Sequence, residues 1–310
     1  MAQMSPLSRR QLLRGLAGTT ASALFRPQLA SSQPARVLGK PIPSTGEELP
    51  AVGRGSWITF NVGNDPIARD ACAQVMGAFF DSGGRLIDSS PMYGSSQKVI
   101  GYGLTKLNGP PSLFSADKVW ISAGARGPDQ IEASRRFWGI PRFDLLQVHN
   151  LLSWEEHLRT LFAMKAAGRL RYVGITTSEG RRHADVERIM RARPLDFVQV
   201  TYNILDRQVE DRILPLARDR GIGVIVNRPF REGELLRKIE RHPLPGWAAE
   251  IGCGSWAQII LKFIISHPAV TCAIPATTRV DHVRENMAAA TGLLPDQAMR
   301  ARMIARVEKL

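Results

Sequence analysis

Two side chains stand where their type and spacing allow chemistry. Arg85-Leu-Ile-Asp88 is an apolar-rich stretch ending on a carboxylate; a Pro-containing loop then leads to Tyr93-Gly94, and a helix is expected near Ser96. That order reads as a buried strand delivering a carboxylate and a phenol to the loop at its carboxyl end. In a parallel α/β barrel, strand ends are where catalytic groups collect. A phenol titrates near 10, so it exchanges protons readily near neutrality only beside a group that favours its ionised form. The plainer alternative is that Asp88 caps a turn and Tyr93 plugs a loop.

The elements that must hold these groups follow a βα rhythm from about Arg36 onward. Arg36–Leu38 and Leu49–Val52, joined by a Gly/Pro-rich turn, read as a hairpin, and Gly53–Ile58 as the first barrel strand. Ile67, Ala71, Val75 and Phe79 mark one face of a helix that stops at Gly83-Gly84. The second strand ends on Asp88, Lys118–Ala123 is the third, and Phe143–His149 the fourth. Ser153-Trp-Glu-Glu156 has capping-box spacing and opens a helix with Leu158 and Leu161 on one face, ended at Gly168. Tyr172–Thr176, Phe197–Thr201, Gly221–Val226 and Ala269–Pro275 complete eight strands with no internal linker. The expected fold is α/β: a single (β/α)8 TIM barrel over residues 36–310, with an N-terminal β-hairpin.

Composition narrows the function classes. The chain has 310 residues, and no stretch reaches the roughly 18 apolar residues of a membrane span, so no stable membrane insertion is expected. The formal charge is +13, but the Arg residues are scattered, with no basic block interleaved with aromatics, so nucleic acid is not an expected partner. Cys72, Cys253 and Cys272 are odd in number and lack CxxC spacing, arguing against a disulfide framework. His157, His183, His242 and His267 show no metal-ligand spacing, and no metal site is expected.

The first residues have another layout. Ser8-Arg9-Arg10-Gln11-Leu12-Leu13 precedes a weakly apolar run, Gly15–Phe25, then Arg26 and the small-residue segment Leu29–Ser32. This is the arrangement of a signal peptide, and the paired Arg beside Leu-Leu resembles a twin-arginine export signal. It implies a signal over residues 1–30, the twin-arginine export machinery as a partner and a periplasmic or otherwise exported location. An amphipathic N-terminal helix or a misassigned start codon are the alternatives.

From Val37 to about Asn286 the chain resembles the aldo-keto reductases, with the motifs in family order. Asp88 and Tyr93-Gly94 match the first motif, and His149 in Gln-Val-His-Asn matches the family's active-site His. Thr176-Thr177 falls in the strand-five motif, and Gln199 in Phe-Val-Gln-Val-Thr matches the Gln that holds the nicotinamide carboxamide. Asn227 stands where the family often stacks an aromatic. Phe230 lies in a loop resembling the one over the pyrophosphate, and Thr277, Arg279, Glu285 and Asn286 resemble the adenosine end. The resemblance implies NADPH-dependent reduction of a small-molecule carbonyl, with Tyr93 as proton donor and His149 orienting the substrate; NADH, or no cofactor, remains open. Trp57, at the end of strand one, and Trp247, after strand seven, are the Trp residues expected to face a substrate.

One family position departs. The family pairs a Lys at the end of strand three with the Asp, and with strand three at Lys118–Ala123 that position falls on Gly124. Lys118 then opens the strand, out of reach of its carboxyl end, and Arg126 reads either as a solvated loop residue or as a cation that swings in to pair with Asp88. This keeps two alternatives open beside the reductase: a catalytically impaired barrel that binds a nucleotide or small ligand, and an envelope scaffold.

Overall fold

The computed structural model describes residues 37–310; the stretch expected to be an export signal lies outside the described residues. A hairpin of β1 (Gly39–Pro41) and β2 (Glu48–Pro50) comes first and pairs antiparallel. Eight parallel strands follow in sequential order. They are β3 (Arg54–Gly55), β4 (Leu86–Asp88), β5 (Phe114–Val119), β6 (Leu145–His149), β7 (Tyr172–Thr176), β8 (Phe197–Thr201), β9 (Gly223–Asn227) and β10 (Cys272–Ala273). Between β3 and β9 each crossover carries a helix: α1 (Pro66–Asp81), α2 (Ser96–Lys106), α3 (Gly127–Trp138), α4 (Trp154–Ala166), α5 (His183–Ala192) and α6 (Ile213–Arg220). Helices α7 (Glu234–Ile239) and α8 (Trp256–Ile265) lead into β10, and α9 (Val280–Ala288) and α10 (Gln297–Val307) follow it.

The two edges of the sheet meet. Gly53 N donates to Ala273 O at 2.8 Å and Gly55 N to Pro275 O at 3.0 Å, closing the barrel. A Cβ on Gly55 would sit 2.9 Å from Ile274 O, so the closing strands approach this closely only without a side chain there.

Inward positions alternate along each strand, and their chemistry changes with height. Leu86, Phe114, Ala116, Leu145, Tyr172, Phe197, Ile225 and Cys272 form a buried apolar cluster together with Ile42 and Leu49 of the hairpin segment. The hairpin therefore seals the amino end of the barrel, and Thr45 Oγ1 meets Tyr172 OH at 2.9 Å there. Two or four residues further along, the same faces present Asp88, Lys118, Gln147, His149, Thr176, Gln199 and Asn227. An apolar floor thus carries a polar layer at the carboxyl end.

Three expectations shift. Strand β5 runs over Phe114–Val119 rather than Lys118–Ala123, because its charged pair is buried on both faces of the sheet instead of leading in from solvent. On α1 the core face is Cys72, Val75, Met76 and Phe79, while Ile67 is 80 % exposed, since Asp65 caps the helix and fixes its phase from outside the barrel. Ser153 does start α4, but its hydroxyl donates to Ser122 O at 2.7 Å and makes no side-chain cap.

Candidate active site

Asp88 ends β4 and is the hub of the polar layer. Its Oδ2 receives Lys118 Nζ at 2.5 Å, and its Oδ1 receives Gln199 Nε2 at 2.9 Å and Gln147 Nε2 at 3.3 Å. Ser56 Oγ donates to the Asp88 carbonyl at 2.9 Å. Lys118 shares the inward phase of Phe114 and Ala116 on β5, is 1 % exposed, and gives a second hydrogen bond to Ser89 O at 2.7 Å. A charge this deep requires a partner. Burial alone pulls the ammonium down, but the Asp88 carboxylate and then Tyr93 carry its pKa above the ordinary lysine value.

Tyr93 lies over that ammonium, 5.0 Å from Lys118 Nζ to the ring centroid. Burial pushes its phenol up; Lys118 pulls it back and Asp88 adds to the rise, so the net shift is upward and the group holds its proton at neutral pH. His149, at the end of β6, meets Tyr93 edge-on with centroids 5.7 Å apart at 88°. Its Nδ1 is 2.7 Å from Ser90 Oγ. Burial, helped by the Lys118 charge, drives the imidazole down to about 2, so His149 is neutral at any working pH. Trp57 stacks edge-to-face on Tyr93 at 4.9 Å and lines the opening, and Trp120 is tilted 6.4 Å from His149; both are over a third exposed.

These groups open into a cleft of about 530 Å³ along the carboxyl ends of the strands. Asp88, Tyr93, His149, Trp57, Thr176, Gln199, Asn227, Phe230, Thr277, Glu285 and Asn286 all line it. Thr176 Oγ1 donates to Gln199 Oε1 at 3.2 Å, so both ends of the Gln199 amide are held and its orientation is fixed. Asn227 receives Thr201 Oγ1 at 2.7 Å and donates to Thr177 O at 2.9 Å. Arg228 reaches Glu179 at 3.1 Å and also pairs with Glu232, tying the loops after β7 and β9 together across the cleft.

The Aldo/keto reductase family pattern matches residues 51–305. The chain belongs to the aldo/keto reductase family. Among curated relatives of this reductase-family chain is a methylglyoxal reductase, YeaE, of Escherichia coli, 28 % identical over 248 residues, covering 77 % of this chain and 85 % of that protein. An NADH-specific methylglyoxal reductase of the same organism is 28 % identical over 245 residues, covering 67 % and 72 %. Among solved structures, an aldo-keto reductase from Klebsiella pneumoniae in complex with NADPH superposes with a TM-score of 0.73 at 22 % identity, covering 88 % of this chain and 96 % of that one.

Against this family frame one expectation is overturned: the Lys is not lost. Gly124 begins a short 3₁₀ turn packed against α4, where a Cβ would collide with Glu156, while Lys118 occupies the barrel interior beside Asp88. Arg126 is exposed and makes no pair with Asp88. Three other expected site residues stand apart from the cleft. Thr177 is buried and acts through its backbone, donating to Gln199 O at 3.0 Å. Arg279 is exposed, with its Nε 3.0 Å from Asp281, and Trp247 packs against the outer core with the Arg302 guanidinium 6.0 Å from its ring centre. Reading the residue types missed Lys118, Ser90 and the Arg181, Arg228 and Arg237 that line the cleft. The alternation Phe114, Ala116, Lys118 held the signal for the first.

Proposed function

We propose that this chain is a nicotinamide-dependent carbonyl reductase in which Tyr93 donates the proton. The observation that carries this reading is the buried Lys118–Asp88 pair beneath the Tyr93 ring. The cleft also suits the cofactor: the fixed Gln199 amide offers hydrogen bonds to a carboxamide, Arg181, Arg228 and Arg237 offer charge to a pyrophosphate, and Thr277, Glu285 and Asn286 suit an adenosine. Bound there, a nicotinamide supplies the reducing equivalents. The protein's residues do the rest. Tyr93 gives its proton to the carbonyl oxygen, the Lys118 charge stabilises the phenolate left behind, and Asp88 keeps that lysine charged and in place. Neutral His149 orients the carbonyl rather than titrating. With Lys118 present, no observation favours an impaired barrel or a scaffold.

NADPH is the first candidate and a small 2-oxoaldehyde the first substrate to assay, following the relatives' names. Arg279 is already held at two points by Asp281, so a 2′-phosphate must compete for it. Fluorescence titration with NADPH and with NADH, alongside turnover of wild type and Tyr93→Phe, tests the reading. Saturable binding by both proteins, with kcat reduced about 10²- to 10⁴-fold in the variant, is expected. Failure of both cofactors to bind would sink it.

We further propose export through the paired Arg9-Arg10, with the signal over residues 1–30 ahead of the barrel over residues 36–310 and a periplasmic or otherwise exported destination. Cell fractionation should find the wild type exported and an Arg9→Lys, Arg10→Lys double variant retained inside. Equal distribution of the two would remove the proposal.

A further inference from the structure

His149 faces the cleft with one ring nitrogen and Ser90 with the other, and the Ser90 side determines what the cleft receives. Ser90 is fully buried, and its Oγ has two neighbours: His149 Nδ1 at 2.7 Å and the backbone N–H of Met92, which donates to it at 3.2 Å. A hydroxyl has one hydrogen to give, and among the described residues no second acceptor lies in reach of Ser90 Oγ. If Nδ1 carried the ring proton and gave it to Ser90, the hydroxyl hydrogen would be left buried and unbonded. If Nδ1 is bare, Ser90 accepts from Met92 and donates to the imidazole, and all three groups are satisfied. We infer that Ser90 is a positioning residue that holds His149 as the Nε2–H tautomer, so that the cleft receives a hydrogen-bond donor rather than a lone pair.

The surroundings leave the tautomer as the freedom to be fixed. Tyr93 edge-on at 5.7 Å and Trp120 at 6.4 Å hem the ring, limiting rotation. Burial and the Lys118 charge keep it from taking a second proton. Beside the Tyr93 phenol, an Nε2–H gives a carbonyl oxygen two donors, whereas the other tautomer would set a lone pair against it. This catalytic consequence rests on the carbonyl-reductase reading; the tautomer itself does not.

The test is long-range ¹H–¹⁵N NMR on histidine-labelled full-length protein without cofactor, with His149→Asn used to assign the resonance. Wild type should show a single Nε2–H tautomer for His149. Ser90→Ala should shift the signal toward a mixture of tautomers, and Ser90→Thr, which keeps the hydroxyl, should restore it. With carbonyl substrate, kcat should fall about tenfold in Ser90→Ala, the worth of one hydrogen bond, and recover in Ser90→Thr. A wild-type proton on Nδ1, or a Ser90→Ala spectrum identical to wild type, would overturn the inference. Because the spectra need no turnover, they decide the tautomer even for a protein that reduces no carbonyl.

Discussion

Lys118 and Asp88 hold each other in place inside a barrel that would otherwise reject both. Replacing Lys118 with Met keeps the length of the stem but leaves a carboxylate buried at 2 % exposure with only amide donors around it. Urea unfolding should register a loss of about 3–5 kcal/mol for Lys118→Met, the usual cost of stranding one member of a buried pair. Adding Asp88→Asn to that variant should recover a large part of the loss, since the stranded charge is gone; strict additivity of the two changes would show that the pair is not coupled. Loss of the ammonium also removes the pull that opposes burial at Tyr93, so the phenol should become a still weaker acid. Asp88, Tyr93 and His149 are legible in the sequence because each closes or follows an apolar strand with a polar side chain. Lys118 is not, because Asp117-Lys118 before Val-Trp-Ile looks like a solvated lead-in to a strand. Only the burial of both charges, on opposite faces, reveals that they are the strand.

At the scale of the element, β5 carries opposite charges on its two faces. While Lys118 points inward to Asp88, Asp117 points outward and is fully buried, with Gln97 Nε2 at 2.8 Å on Oδ2 and the Lys118 N–H at 2.7 Å on Oδ1. Burial pushes the Asp117 carboxyl up to about 7, with those hydrogen bonds opposing it. Its folded pKa is thus raised above the unfolded value near 4, so between those limits the folded state binds the extra proton and stability falls as pH rises. Unfolding free energy should decline between about pH 4 and pH 7, by up to about 4 kcal/mol from this group alone. Asp117→Asn should flatten that segment of the profile and be the more stable protein at pH 8. An unchanged pH slope in the variant would assign the dependence elsewhere. Other strands hide less: β7 and β8 match their sequence bounds residue for residue, because aromatic and β-branched residues dominate Tyr-Val-Gly-Ile-Thr and Phe-Val-Gln-Val-Thr.

At the scale of the molecule, the barrel is legible in the even succession of strands and helices, and the hairpin in its turn chemistry. What sequence does not supply is the lateral register that brings distant strands to one height. Lys118 stands opposite Gln147 and Thr176 opposite Gln199, and those pairings place the polar layer on its apolar floor. The cleft-lining arginines are similarly hidden, being loop residues whose direction depends on how the segments after β7 and β9 are tied together.

The Gln199 amide, held by Asp88 at one end and Thr176 at the other, joins the ion pair to the open cleft. A ligand that draws on that amide competes with the carboxylate for it. By reciprocity, whatever factor the pair's hold on the amide imposes on ligand affinity, the ligand imposes on the pair in return. Occupying the cleft would then be felt at Lys118 and Asp88 beneath it, and a change made at either would be felt as a change in ligand affinity.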